Sequence, residues 1–243
     1  MTQKSFEQDA RSTLAQLLGP EGEILRENFT PERLAALEKL MARIQSDDFR
    51  PHAEREVSRR RMLAQLGKDE DLWIFAYGSL MWNPAMHIAE TQSATVYGVH
   101  RAFCLNLELG RGTPERPGLM LGLDRGGSCR GVAHRISAAS IESETEILWM
   151  REMIGHGYEP GWVYTHMESG RRRALTFLAN PRGPRYVGRL PYDLTVERIA
   201  RAEGPLGSNR RYLYQAVAHL RALGIADGPL HALCDAVRQK AGD

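Results

Sequence analysis

From Asp71 onward the chain carries short apolar runs of β character, LWIFAY, ATVYGVHRAFCLNL, LMLGL, GVAHRI, GWVYTHM and ALTFLA, separated by Gly, Pro, Asn and Arg clusters. No other feature restricts the fold so strongly. A single helical stretch interrupts the runs, from about Ser140 to Met153, and helical stretches at about 194–203, 209–223 and 229–240 close the chain. Strands gathered in the middle, without strand–helix alternation, exclude a doubly wound parallel sheet. They predict an α+β architecture with an antiparallel or mixed, barrel-like sheet. Between LMLGL and GVAHRI, the glycine-rich DRGGSCRG lacks the Lys-Ser/Thr ending of a phosphate loop and reads as a hairpin turn.

Residues 1–70 have a different character and read as an N-terminal helical extension, with a second domain over 71–243. Thr30 is placed to cap a helix with Pro31 in its first turn, after which Leu34, Leu37, Leu40, Met41 and Ile44 recur at helical spacing. A second helix, HAEREVSRRRMLAQLG, stops at Gly67 and carries Arg59-Arg60-Arg61, read as a solvated face.

Bulk properties narrow the function classes. With 243 residues, 42% hydrophobic and 26% charged, the chain can bury a sizeable core and is not disordered along most of its length. A net charge of +2 is too slight to name nucleic acid or an anionic membrane as the main partner, so small-molecule ligands are favoured. Cys104, Cys129 and Cys234 are odd in number and far apart, which suggests neither a disulfide framework nor a zinc site and fits a reducing cytoplasm. The start, MTQKSFEQDARSTLAQLLG, has no signal-type apolar core, and no run approaches the roughly 18 apolar residues of a membrane span.

Two places break the apolar pattern in ways that invite chemistry. In FAYGSLMW, residues 75–82, a buried strand stops at Tyr77-Gly78-Ser79 and resumes at once with Leu80. Gly78 tolerates positive φ, so this is either an ordinary turn or a sharp one that offers bare N–H groups and the Ser79 hydroxyl to a small anion. In SIESETEILWMREMIGHGY, Ile141, Leu148 and Glu152 fall on one helical stripe, which points the Glu152 carboxylate at the apolar side. No Lys or Arg stands three or four residues before it, and Arg151 lies about 100° around the axis. Glu152 is thus either desolvated with a raised pKa, a good proton acceptor, or twisted out to solvent at a fraying helix end. Glu142, Glu144 and Glu146 are assigned to the solvated face.

Other constellations read as structure first. His100 and Cys104 share a strand face and pack more readily than they form a nucleophile pair. RGTPERPG, residues 111–118, is either a surface loop or a rigid loop beside a pocket. Ser208 or Asn209 is placed to cap the helix that carries Tyr212, a core residue or a phenol that hydrogen-bonds a ligand.

Taken together, YGSL with Trp82, Arg101 and Phe103 in GVHRAF, RGTPERPG, the RE of WMREM followed by GY, and GPLGSNRRYL resemble the ChaC-type γ-glutamylcyclotransferases, the glutathione-specific branch of that fold. The matching segments keep the family's order over roughly 72–235. The resemblance implies a compact mixed β-barrel core with flanking helices. It implies cleavage of glutathione to 5-oxoproline and cysteinylglycine, by attack of the substrate's own α-amino group, without metal or cofactor. It assigns Glu152 as catalytic, Tyr77, Gly78, Ser79 and Leu80 as the γ-glutamyl-holding loop, and Arg101 and Tyr212 as ligand-facing. Residues 1–70 lie outside the shared core, and Met-Ile-Gly-His-Gly-Tyr after Glu152 is a longer break than some members have. Rival readings are a cyclotransferase for other γ-glutamyl amines or amino acids, a binding protein without turnover, and a nucleic-acid surface on Arg59–Arg61 and Arg171–Arg173. Nucleic acid and membrane are not expected as partners, and the oligomeric state stays open.

Overall fold

The computed structural model describes residues 26–28, 30, 32–33, 35–36, 38–39, 48–108, 110–204 and 206–243. The contacts divide the chain into two compact units. One comprises Asp48–Ala102 and Leu121–Tyr186, the other Phe103–Met120 and Val187–Asp243 with the described residues before Asp48. Five strands, β1 (Leu72–Ala76), β2 (Glu90–Leu107), β3 (Gly118–Ile136), β4 (Tyr158–Met167) and β5 (Gly170–Ala179), form a closed barrel in the order β1-β3-β2-β4-β5. This is the mixed barrel expected from the sequence: β1 runs antiparallel to β3, from Leu72↔Ile136 to Ala76↔Val132, and parallel to β5 at Ile74↔Leu175.

Within the first unit the period-2 pattern sends Phe75, Tyr77, Val96, Leu123, Ala133, Met167 and Ala174 into one core cluster. At Gly131 the β3 backbone comes so close to β1 that a Cβ would lie 2.2 Å from the Ala76 carbonyl oxygen, so no side chain fits. The expected hairpin turn at DRGGSCRG is not made. Gly126 (φ 93°) and Gly127 (φ 71°) instead sit inside the continuous strand β3, where the left-handed conformation of two glycines kinks a strand without ending it.

Helix α1 (His52–Leu63) precedes the barrel and α2 (Ile141–Glu152) follows β3 after a 3₁₀ turn at Ala138–Ser140. α2 buries Ile147, Leu148 and Trp149, and the Trp149 ring meets Phe177 edge-on at 5.5 Å between centroids, a favourable aromatic geometry. Two assignments of surface charge fail. Glu144 is 2% exposed because its Oε2 accepts the His87 N–H at 2.9 Å, and Arg59 is 3% exposed because Glu56 and Glu142 bind its guanidinium.

In the second unit α3 (Tyr192–Arg201), α4 (Asn209–Ala222) and α5 (Gly228–Ala241) match the expected closing helices within two residues at each end. Neither Ser208 nor Asn209 caps α4 through its side chain. Asn209 is fully buried and acts as a strand partner instead: its Oδ1 accepts the Leu119 N–H and its Nδ2 donates to the Leu119 carbonyl, both at 2.8 Å. Thr30 Oγ1 accepts the Arg33 N–H at 3.3 Å, as a cap would, and the described residues at 32–33, 35–36 and 38–39 are helical. Pro31, Leu34, Leu37, Leu40, Met41 and Ile44 lie outside the described residues. Cys104, Cys129 and Cys234 are buried and not joined in disulfides. Among the described residues no helix is long and apolar enough to cross a membrane.

Candidate active site

The break at Gly78 is made by a 3₁₀ turn, Ser79–Met81, entered directly from β1. Gly78 has φ −130° and ψ −138°, so the left-handed conformation anticipated for it is not used; the winding of the next three residues reverses the chain. The turn's hydrogen bonds employ the N–H groups of Met81, Trp82 and Asn83, which reach Gly78 O (2.9 Å) and Ser79 O (3.3 and 2.9 Å). Those of Gly78, Ser79 and Leu80 stand outside them, as at the start of any helical winding.

Side chains on the barrel hold this turn in place. The Tyr77 phenol donates to the Phe177 carbonyl at 2.8 Å, so its ring belongs to the core. Arg101, on β2, gives its Nε to the Tyr77 carbonyl and its Nη2 to the Arg130 carbonyl at 2.7 Å, tying the turn's entrance to β3. Leu80 is buried, and its carbonyl lies 3.0 Å from Nε2 of His134. Burial holds the His134 pKa below its ordinary value, so the ring is neutral near pH 7. Nε2 then carries the proton given to Leu80, and Nδ1 accepts from the Thr91 hydroxyl at 2.8 Å. His134 did not stand out in the sequence because a lone histidine on a strand carries no spacing signal.

Glu152 is the last residue of α2, and its side chain is 15% exposed. Of the two orientations compatible with the helix pattern, the structure takes the inward one. Desolvation pushes the carboxyl pKa up, and the charge and hydrogen bond of Arg151 pull against that rise. No basic residue stands three or four positions back, as the sequence has it, but the adjacent Arg151 pairs nonetheless: its Nε donates to Glu152 Oε1 at 2.7 Å. Helical-wheel angles mislead here because α2 ends at Glu152, so the long Arg151 side chain folds across the helix end without meeting a further turn.

Arg151 does more than pair. Its side chain is 2% exposed, Nη2 donates to Ser79 Oγ at 2.8 Å and Nη1 donates to the Asn83 carbonyl. One buried guanidinium therefore joins the Glu152 carboxylate to the start and the exit of the 79–81 turn. Three of its N–H groups go to protein acceptors on these two elements, so it ties the carboxylate to the turn.

Tyr212 lies in the first turn of α4, its ring edge-on to Phe103 with centroids 6.0 Å apart. In the RGTPERPG loop, Thr113 and Arg116 exchange main-chain hydrogen bonds at 3.1 and 3.2 Å, and Arg111 reaches the Ser208 carbonyl at 3.4 Å. His100 is exposed with Nδ1 3.0 Å from the Gly126 carbonyl, whereas Cys104 is buried.

A tight turn after the first barrel strand is thus bridged by Arg151 to the largely buried Glu152. Residues 72–240 match the family model described as ChaC-like protein, and the chain belongs to that family. A relative from Escherichia coli (strain K12), "Glutathione-specific gamma-glutamylcyclotransferase", is 41% identical over 187 residues, 76% of this chain and 81% of that protein. Mouse "Glutathione-specific gamma-glutamylcyclotransferase 1" is 30% identical over 178 residues, 70% of this chain and 80% of its own. The crystal structure of a yeast γ-glutamylcyclotransferase specific to glutathione superposes with a TM-score of 0.63 over 70% of this chain and 96% of that one. At 23% identity it is similar in fold.

Proposed function

We propose that the chain is a γ-glutamylcyclotransferase that cleaves glutathione to 5-oxoproline and cysteinylglycine, with Glu152 as the base and acid. The observation that carries this reading is the Arg151 guanidinium, which holds the Glu152 carboxylate and the Ser79 hydroxyl at 2.7 and 2.8 Å. The names of the relatives support the reaction and the substrate.

In this reaction the α-amino nitrogen of the γ-glutamyl group attacks its own γ-carbonyl carbon. A C–N bond forms within a five-membered ring, the amide bond to cysteine breaks, and its nitrogen leaves with a proton. Nucleophile and electrophile belong to one molecule, so the protein has to hold the folded-back conformer. Well-oriented intramolecular reactions gain roughly 7–11 kcal/mol in this way. The α-amino group, with a reference pKa of about 7.7–8.0, is mostly ammonium at neutral pH and must lose a proton before it attacks. Glu152, its pKa raised by burial, takes that proton and returns it to the departing cysteinyl nitrogen. The outer N–H groups at Gly78, Ser79 and Leu80 bind an anionic oxygen of the substrate, and Tyr77 and Arg101 keep that turn rigid. The same reading assigns the reaction to the cytoplasm, where free cysteines and glutathione stay reduced.

Substrate choice is tested by comparing kcat/KM for glutathione and γ-glutamylalanine. Glutathione is expected to be favoured by at least about tenfold, because each lost contact at the transition state removes about 1–3 kcal/mol. Equal or reversed values would move the chain to the broader class of γ-glutamyl amino-acid cyclotransferases.

A further inference from the structure

Glu152 is the last helical residue of α2, and the stretch after it, Gly155-His156-Gly157, is a sequence that ordinarily leaves a helix end loose. In this chain it is held. Phe49 forms an isolated antiparallel bridge with Gly155, Arg50 N–H donates to the Ile154 carbonyl at 2.8 Å, and the His156 N–H reaches both Asp48 O (3.0 Å) and Asp48 Oδ1 (2.9 Å). The fit leaves no room at Gly155, where a Cβ would stand 2.6 Å from Asp48 Oδ2 and 3.1 Å from its carbonyl oxygen.

The side chains of the same segment grip α2 at both ends. Arg50 is 3% exposed, and its guanidinium spreads over the stretch beyond Glu152: Nη1 reaches Met153 Sδ at 3.5 Å, and Nη2 reaches His156 Nδ1, Tyr158 O and Glu159 Oε1 at 3.2, 3.5 and 3.1 Å. Its Nε lies 3.0 Å from Glu54 Oε1, off the line of a hydrogen bond. Arg55, 3% exposed, locks the main chain in turn by donating to the Arg50 carbonyl at 2.8 Å. At the other end Arg59, held in a fork by Glu56 at 2.7 and 2.8 Å, donates to Glu142 Oε2 at 2.6 Å and Thr145 Oγ1 at 3.0 Å, both near the start of α2.

We propose that Asp48–Arg59, which precedes the residues matched by the family model, is a positioning strap that fixes both ends of α2 and so holds Glu152 in register with Arg151 and Ser79. Arg50 and Arg59 touch no reacting atom; they act through the helix that carries the carboxylate. The strap rests on the reading of Glu152 as the base, and it gives part of the 1–70 extension a role in the reaction. A carboxylate displaced by about an ångström still lets glutathione bind at the Ser79 turn but receives its proton poorly, so the strap bears on kcat and leaves KM alone.

The experiment uses the full chain, with 5-oxoproline release from glutathione by the wild type measured first. Arg50→Ala and Gly155→Ala are each expected to lower kcat about ten- to a hundredfold, with KM within about twofold and with faster hydrogen exchange at the amides of Arg50 and His156. Arg50→Lys, which keeps the charge but not the fork, is expected to fall between Ala and wild type. Wild-type kcat in a variant whose His156 amide exchanges faster would overturn the strap, as would unchanged exchange in both alanine variants. Should Arg50→Ala not fold, Gly155→Ala decides alone, because it disturbs Asp48 without removing a charge. A wild-type chain that releases no 5-oxoproline would defeat the activity itself, a result that the exchange measurements do not mimic.

Discussion

Glu152→Gln is expected to lower kcat for glutathione by about 10²–10⁴-fold while the affinity for glutathione, measured by calorimetry, stays near wild type. The amide keeps the shape of the side chain and an oxygen to accept from Arg151 Nε, but it takes no proton from the substrate's α-ammonium. The same change should not weaken the fold. The pKa of Glu152 is raised in the folded protein, mainly by burial, so the folded state binds this proton more tightly than the unfolded chain does. A group of that kind contributes stability below its unfolded pKa of about 4.3, and the contribution disappears as the pH climbs through the folded value. Wherever the carboxyl is ionised it therefore costs stability, and glutamine, which does not ionise, removes the cost. A melting temperature equal to or above wild type, together with lost turnover, separates a chemical role from a structural one.

Arg151→Met is expected to act on both halves of the site. It frees the turn by removing the donors to Ser79 Oγ and the Asn83 carbonyl, which should cost about ten- to a hundredfold in kcat at neutral pH. It also removes the charge that opposes the rise in the Glu152 pKa. Without it the carboxyl stays protonated to higher pH, so the acid limb of the kcat profile should move upward. Arg151→Lys restores a charge near Glu152 but cannot serve three directions at once. Its acid limb should lie close to wild type while its kcat remains reduced. An unmoved acid limb in Arg151→Met would show that Arg151 does not tune the group on which turnover depends.

The barrel was legible because its strands follow period-2 burial and lack alternating helices, and Glu152 because a carboxylate on an apolar helical stripe is out of place. What stayed hidden depends on contacts between distant residues. Glu144 reads as a surface charge until the His87 N–H arrives to be satisfied, and Arg59 reads as one of a solvated triplet until Glu142 and Thr145 close over it. Gly126-Gly127 resembles a hairpin turn because two consecutive glycines with positive φ make turns and strand kinks alike. The pairing of Phe49 with Gly155 is a single bridge with no periodicity to announce it. The Arg151–Glu152 pair is hidden for a different reason: wheel geometry fixes Cβ directions, whereas an arginine at a helix terminus has the reach to turn back on its neighbour.

The most direct test is to incubate the purified full chain with glutathione and quantify 5-oxoproline, cysteinylglycine and free glutamate together. Intramolecular attack predicts 5-oxoproline and cysteinylglycine in equal amounts with no glutamate. Glutamate in place of 5-oxoproline would mean that water is the nucleophile, and no product at all would mean that the site binds without turnover; either result contradicts the account.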